Sequence, residues 1–380
     1  MDRPLPLAAR DGQSGSCARN FDQATSSLQT GISLAKVVAN DSIIPLPAPL
    51  LDHLNDINRR IAESLKADLE QLGQDHTHAW PVMQAAVAGN GLISIDSDRI
   101  TSFVRSEAYE DCNCWGETPG THPPNIPMSS WVIFALAEIG EPATPGEINF
   151  LINEQHPDGW WSVFRVRHDD PEYASTYGTA WAILALHSQS SKHLMPETEA
   201  RSAASAISRG ASWLIRAREP GARWKDYPLH RNGQISESLS GLVLHALHTV
   251  SSDRQQLKTI DNEWVRNLPT NPPTAGDADR VYRWISVRDK PGQSHLDAIV
   301  QIKLPWMLMA TVDTYPSGGI FERAWALRWL ESALWQETVA GADTQPDNWW
   351  RSELLHGIRY ILKSTSDTPQ ASAALTPPAP

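Results

Sequence analysis

Two carboxylates stand directly before apolar runs in this chain. Glu237 precedes Leu239-Ser240-Gly241-Leu242, and Asp297 precedes Ala298-Ile299-Val300. An acid facing an apolar cavity is held in its neutral form and can act as a proton donor. The competing role for each is an N-cap or first-turn charge, a common place for Asp and Glu. Other polar residues occupy similar places: Asp75, His76 and His78 before Trp80, Tyr177 before Trp181, and Glu353 before a late apolar run. His168-Asp169-Asp170 could bring a carboxylate to a cavity or lie on a solvated loop. Asp96 and Asp98 in SIDSDRI are expected to serve the start of the helix that follows. Glu110-Asp111-Cys112-Asn113-Cys114, with His122 beyond, offers thiols and a small ligand set. A partly buried structural cysteine pair is the competing reading, and no metal is expected.

These residues need elements to hold them, and the periodicity is helical throughout. HAWPVMQAAV (78–87), SSWVIFALAEIG (129–140) and TAWAILALHS (179–188) share two small or polar residues, then Trp, then an apolar run. SGLVLHALHT (240–249), LPWMLMATV (304–312) and LHGIRYIL (355–362) continue the register, with Leu242, Trp306 and Gly357 at the Trp position. Most of these six helices are apolar nearly all round, which requires burial on every side. Amphipathic segments alternate with them: 50–72, 144–155, 204–217 and 321–335. In the second, Thr144, Pro145 and Glu147 form a capping-box start. No alternating strand pattern stands out. Residues 1–30 read as a flexible tail and 364–380 as a disordered one, leaving 31–363 as one domain.

Trp is unusually frequent, 16 against 6 Phe and 7 Tyr. Part of the excess lies in a repeated pair, PDGWW at 157–161 and PDNWW at 346–350. The first belongs to Gln155-His156-Pro157-Asp158-Gly159-Trp160-Trp161, which reads Q-x-x-x-G-x-W. Gln345 to Trp350 is a shortened copy, and Arg218-Glu219-Pro220-Gly221-Ala222-Arg223-Trp224 a worn one. Together with the six-helix register over residues 50–362, this resembles the QW motif of the terpenoid cyclase and protein prenyltransferase superfamily, as a divergent member. The resemblance implies an all-α fold, an (α/α)6 toroid of two concentric rings, with the Gln and Trp of each motif clasping neighbouring helices. It also implies an inner cavity, with reactive groups at the inner-helix N-termini; Glu237 and Asp297 lie near where the superfamily places its active-site residues.

The superfamily's known chemistries are not spelled out here. The prenyltransferase zinc ligands align with Ser236, Ser238 and an apolar run after the D-K-P-G loop at 289–292. The cyclase acids of D-x-D-D-T-A align with Tyr177 and Gly178 before Thr179-Ala180. What the resemblance leaves is a pocket protein for an isoprenoid or similar polyene, walled by Trp131, Tyr177, Trp181 and Trp306, since aromatic faces attract carbocations. As an enzyme it would be a cyclase or isomerase with Asp297 or Glu237 as acid; the alternative is a non-catalytic lipid- or protein-binding toroid. No cofactor is expected.

Composition sets the outer bounds. With 41% hydrophobic and 20% charged residues in 380, the chain has a globular balance. A net charge of −12 gives no basic field for nucleic acid. No run reaches the ~18 apolar residues of a membrane span, and the N-terminus has no apolar signal region. Cys17, Cys112 and Cys114 make no disulfide framework and fit a reducing compartment. A cytoplasmic protein is expected, with a hydrophobic, isoprenoid-like small-molecule substrate and room for peripheral membrane contact; the protein partner is unknown. Elemental analysis of the purified chain is expected to find no stoichiometric zinc; one zinc per chain would overturn this and direct attention to Cys112, Cys114 and His122.

Overall fold

The computed structural model describes residues 94–116, 124–163, 165, 169–231, 233–267, 283–285 and 296–298, with isolated helical positions at 52, 59, 63, 66, 69, 70, 82, 83, 86, 87, 306, 309, 310, 313 and 314. All of them fall within the unit Pro49–Pro380. The expected tails at 1–30 and 364–380, together with Gln345–Trp350, Glu353 and Gly357, lie outside the described residues.

The described part is mostly helical. Seven α-helices are described: α1 Ser97–Ser106, α2 Ile126–Glu138, α3 Pro145–Asn153, α4 Thr176–Ser191, α5 Glu197–Arg216, α6 Glu237–Val250 and α7 Arg254–Arg266. Their starts follow local chemistry. Asp96 caps α1 by accepting from the Arg99 N–H at 3.0 Å. Asn125 caps α2, Ser175 caps α4 and Asp253 caps α7 in the same way. Thr144 and Glu147 form the expected capping box on α3, with Pro145 in its first turn.

Burial separates the helices into two kinds. On α2 and α4 nearly every residue is buried, around the whole circumference. The buried residues of α1, α3, α5 and α7 lie on one side, as their amphipathic sequences require. Helix α4 packs against α2, α5 and α6, while α3 packs against α2 and α5. The buried helices thus form a row, α2–α4–α6, and α3 and α5 lie against it. Val82, Met83, Ala86 and Val87 of the first Trp helix are helical and buried as well.

Strands are present, contrary to the sequence expectation, as short antiparallel pairs. β1 Trp161–Ser162 pairs with β2 Ala174–Ser175, β3 Trp224–Lys225 with β4 Ile235–Ser236, and β5 Arg283–Ile285 with β6 Leu296–Ala298. Segments of two or three residues are too short to show an alternating pattern. In the first two pairs a Trp faces the residue just before a buried helix: Trp161 opposes Ser175, and Trp224 opposes Ser236.

The Trp of each such loop makes a repeated clasp. The Trp161 indole N–H donates to the Leu151 carbonyl at 2.7 Å, in the last turn of α3. Its backbone N–H donates to Thr179 Oγ1 in α4 at 3.0 Å. Trp224 repeats this with the Leu214 carbonyl of α5 at 2.7 Å and Ser240 Oγ of α6 at 3.0 Å. Trp115 repeats it again with the Val104 carbonyl of α1 at 2.8 Å and Ser129 Oγ of α2 at 2.9 Å. Each clasp adds a partner to a carbonyl in the last turns of a helix; the Val104 carbonyl also accepts from the Glu107 N–H. Gln155 adds a link between amphipathic helices: its side-chain amide donates to the Gly159 and Ala206 carbonyls, both at 2.9 Å, and its oxygen accepts from Arg209. Gly159 has φ +104°, and a Cβ there would run into the Arg209 carbonyl of α5.

Trp161 is fully buried. Trp161→Ala is expected to lower stability by about 3–5 kcal/mol, read from the denaturant midpoint. Trp161→Phe keeps the ring and loses mainly the 2.7 Å hydrogen bond, so it should cost about 1–3 kcal/mol by leaving the Leu151 carbonyl unpaired. An unchanged midpoint for the alanine variant would overturn the clasp.

Candidate functional site

The aromatic residues singled out in the sequence come together along the buried row. Trp131 of α2 and Trp181 of α4 have ring centroids 4.4 Å apart at a 39° tilt. Trp306, on a further helical segment, meets Trp181 edge-on at 5.0 Å. Phe134 touches both first rings, at 5.6 Å from Trp131 and 5.7 Å from Trp181. Trp131 and Trp181 are each 1% exposed and Trp306 5%. Tyr177, also buried, lies one turn before Trp181 on the same helix face. Neither the Trp131 nor the Trp181 indole N–H has a hydrogen-bond partner.

The two proposed acids are placed by backbone alone. Glu237 is the first residue of α6. Asp297 lies in β6, opposite Trp284. Asp297 occupies a strand position, and the helix expected to begin there falls on residues outside the described ones. That position matches those of Ser175 and Ser236, each of which opposes a Trp in the equivalent ladder.

Two buried His–Asp pairs had not been anticipated. His245 Nδ1 lies 2.8 Å from Asp313 Oδ2, and both side chains are about nine-tenths buried. His245 also faces Trp306, with ring centroids 6.5 Å apart. His248 Nε2 lies 2.8 Å from Asp261 Oδ1, joining α6 to α7. The sequence signal for the first pair was present: one His in the apolar run SGLVLHALHT and one acid closing LPWMLMATVD. A buried polar group needs a partner, but the sequence does not say which of several distant residues supplies it.

The remaining sequence candidates separate. Asp96 is a cap and Asp98 lies in the first turn of α1, so both act on the helix start. Asp170 caps a single 3-10 turn, Pro171–Tyr173, accepting from the Glu172 N–H, so this acid orders a loop. His168 and His122 lie outside the described residues, as do Asp75, His76 and His78. Cys112 and Cys114 form a disulfide with each other. This agrees with the reading of a structural cysteine pair, and it removes both thiols from metal or nucleophilic chemistry in this form. The pairing is local: Asn113, at φ +50°, turns the chain between them. Among the described residues no group of three or more His, Cys, Asp and Glu is arranged to hold a metal. No described helix is long and apolar enough to cross a membrane.

No family model and no curated protein matches the chain.

His187, near the end of α4, has a pKa lowered below the usual histidine value of 6.5 by desolvation. Its folded form therefore resists protonation more than the unfolded chain does. This leaves stability unaffected above the unfolded pKa and erodes it as pH falls through 6.5 toward the lower folded value. The melting temperature is expected to fall across that window, and His187→Gln should flatten the fall. An identical pH profile for the variant would overturn the assignment.

Proposed function

We propose that this chain is a divergent (α/α)6 toroid of the terpenoid cyclase and prenyltransferase type that binds an isoprenoid or similar polyene. The observation that carries the reading is the contiguous aromatic surface of Trp131, Trp181 and Trp306 along the buried row. The repeated clasps of Trp115, Trp161 and Trp224 support the repeat architecture. Ring faces suit both a polyene and the cationic charge that develops when a polyene is protonated.

As an enzyme it acts as a cyclase or isomerase by carboxylate acid–base chemistry. Glu237 and Asp297 remain the proposed donors: Glu237 opens α6, and Asp297 opposes Trp284 in a ladder equivalent to the one that precedes α6. Asp313 joins them as a third carboxyl: it is buried and bonded to His245, which faces Trp306. The second reading is a non-catalytic toroid that binds a lipid or a protein partner. The near-complete burial of Trp131 and Trp181 against neighbouring rings favours that reading.

Native mass spectrometry of the purified full chain is expected to show a bound lipid, and farnesol should quench the Trp fluorescence saturably. If the chain is an enzyme, one of Asp297→Asn, Glu237→Gln and Asp313→Asn abolishes conversion with little change in melting temperature. Binding without conversion by the wild type establishes the second reading. Absence of both lipid and quenching overturns the proposal.

A further inference from the structure

The first of the three described clasp loops differs from the other two in carrying a disulfide. All three reach their Trp through a tight turn with the same closing bond. The Tyr109 N–H donates to the Cys114 carbonyl at 2.9 Å just before Trp115. The His156 N–H donates to the Trp160 carbonyl at 2.9 Å before Trp161, and the Glu219 N–H to the Arg223 carbonyl at 2.8 Å before Trp224. In each turn the residue ahead of the acceptor has a positive φ: Asn113 at +50°, Gly159 at +104° and Ala222 at +51°. Residues 156–160 and 219–223 contain no cysteine. Cys112 and Cys114 thus add a cross-link to a turn that the fold makes twice without one.

Other contacts hold the first turn as well. The Asn113 N–H donates to the Tyr109 carbonyl at 2.8 Å, and the Asn113 side chain lies against Gly146 of α3. A disulfide stabilises a fold mainly by restricting the unfolded chain, and a longer closed loop gives more. This one closes across a single residue, so it restricts the unfolded chain little. The converse follows from the same cycle: a cross-link that adds little to the fold is protected little by it. The two sulfurs also differ in access. Cys114 is 0% exposed and runs into the buried Trp115, whereas Cys112 is 8% exposed and lies between the exposed Asp111 and Asn113. Exchange requires approach to only one of the two sulfurs.

We propose that Cys112–Cys114 is a thiol–disulfide exchange site for small thiols of the glutathione type, with Cys112 as the attacked sulfur and Cys114 as the buried leaving thiol. An incoming thiolate bonds to Cys112 Sγ as the Cys112–Cys114 bond breaks, and Cys114 leaves as a thiolate and takes up a proton. A second thiolate attacks the incoming sulfur of this mixed disulfide, and Cys112 leaves as a thiolate and is protonated in turn. The cysteine pair gains two electrons, and two small thiols become one disulfide. Oxidised glutathione runs the same steps backwards and closes the pair. The site is independent of the isoprenoid reading.

The test adds millimolar reduced glutathione to the native full chain carrying Cys17→Ser, then alkylates the free thiols and counts them by mass. About half of the pair or more is expected to open within about an hour, where a structural disulfide resists the glutathione pool. The reduced chain should melt close to the oxidised one, because the backbone bonds of the turn remain. In the same background, Cys114→Ser given oxidised glutathione should capture one glutathione at Cys112 at least about tenfold faster than Cys112→Ser captures one at Cys114. A pair that opens only in denaturant overturns the site. So does a reduced chain that melts far lower, since the disulfide would then be a brace. Equal capture by the two single-cysteine variants overturns the assignment of Cys112. If the purified chain holds two free thiols, oxidised glutathione should close them, and failure to close overturns the proposal. The glutathione reaction of the Cys17→Ser chain decides the matter even if a second substitution prevents folding.

Discussion

The hydrogen bond from a loop Trp indole to the last carbonyls of the preceding helix is the interaction on which this architecture depends. Among the described residues it is made three times, by Trp115, Trp161 and Trp224, at 2.7 to 2.8 Å each time. Every copy does the same two things. The indole closes the end of an amphipathic helix, and the backbone of the same Trp is held by a hydroxyl on the buried helix that follows. A single residue thus sets the spacing between one helix and the next. Without it, each amphipathic helix would end in unpaired carbonyls against a packed interior. The large ring also supplies the apolar area that fixes its position.

Once the clasps hold the loops, the buried helices are free to be apolar on all faces. Their ends still have to be capped, and the caps are local: Asn125 for α2 and Ser175 for α4. The hydroxyls that receive the clasps, Ser129, Thr179 and Ser240, each lie two residues before the Trp or Leu of the repeat register. The small-polar pair ahead of Trp131 and Trp181 therefore has a mechanical meaning. Its first member ties the helix to the loop, and the large residue after it projects into the row. Gln189, fully buried on α4, works similarly from the other end, donating to the Ile133 and Glu141 carbonyls and accepting from the Ala143 N–H.

How much of this was legible in the sequence follows from the range of each interaction. The capping box of α3 and the Asp96 cap span three residues, and both were read directly. Helix type followed from periodicity, since α2 and α4 show apolar residues on every face and α5 on one. The meeting of Trp131, Trp181 and Trp306 was foreshadowed by their shared register, because equivalent positions on neighbouring repeats face the same layer. The short strand pairs were not legible, as two residues carry no period. Nor was the bond between His245 and Asp313, which are separated by 68 positions. Cys112 and Cys114 were legible as a structural pair but not as a disulfide across one residue, whose turn at Asn113 takes a positive φ that composition does not reveal.

Trp serves two purposes here, and hydrogen bonding distinguishes them. In Trp115, Trp161 and Trp224 the indole N–H has a carbonyl partner, the ring is buried, and the residue is explained by the scaffold alone. Trp131 and Trp181 are as deeply buried, yet their N–H groups have no partner. Packing does not demand the donor: Phe134, beside the same two rings, fills space with none. The scaffold Trp residues are therefore those whose polarity the fold consumes. In Trp131 and Trp181 the ring is consumed by packing and the N–H is left over.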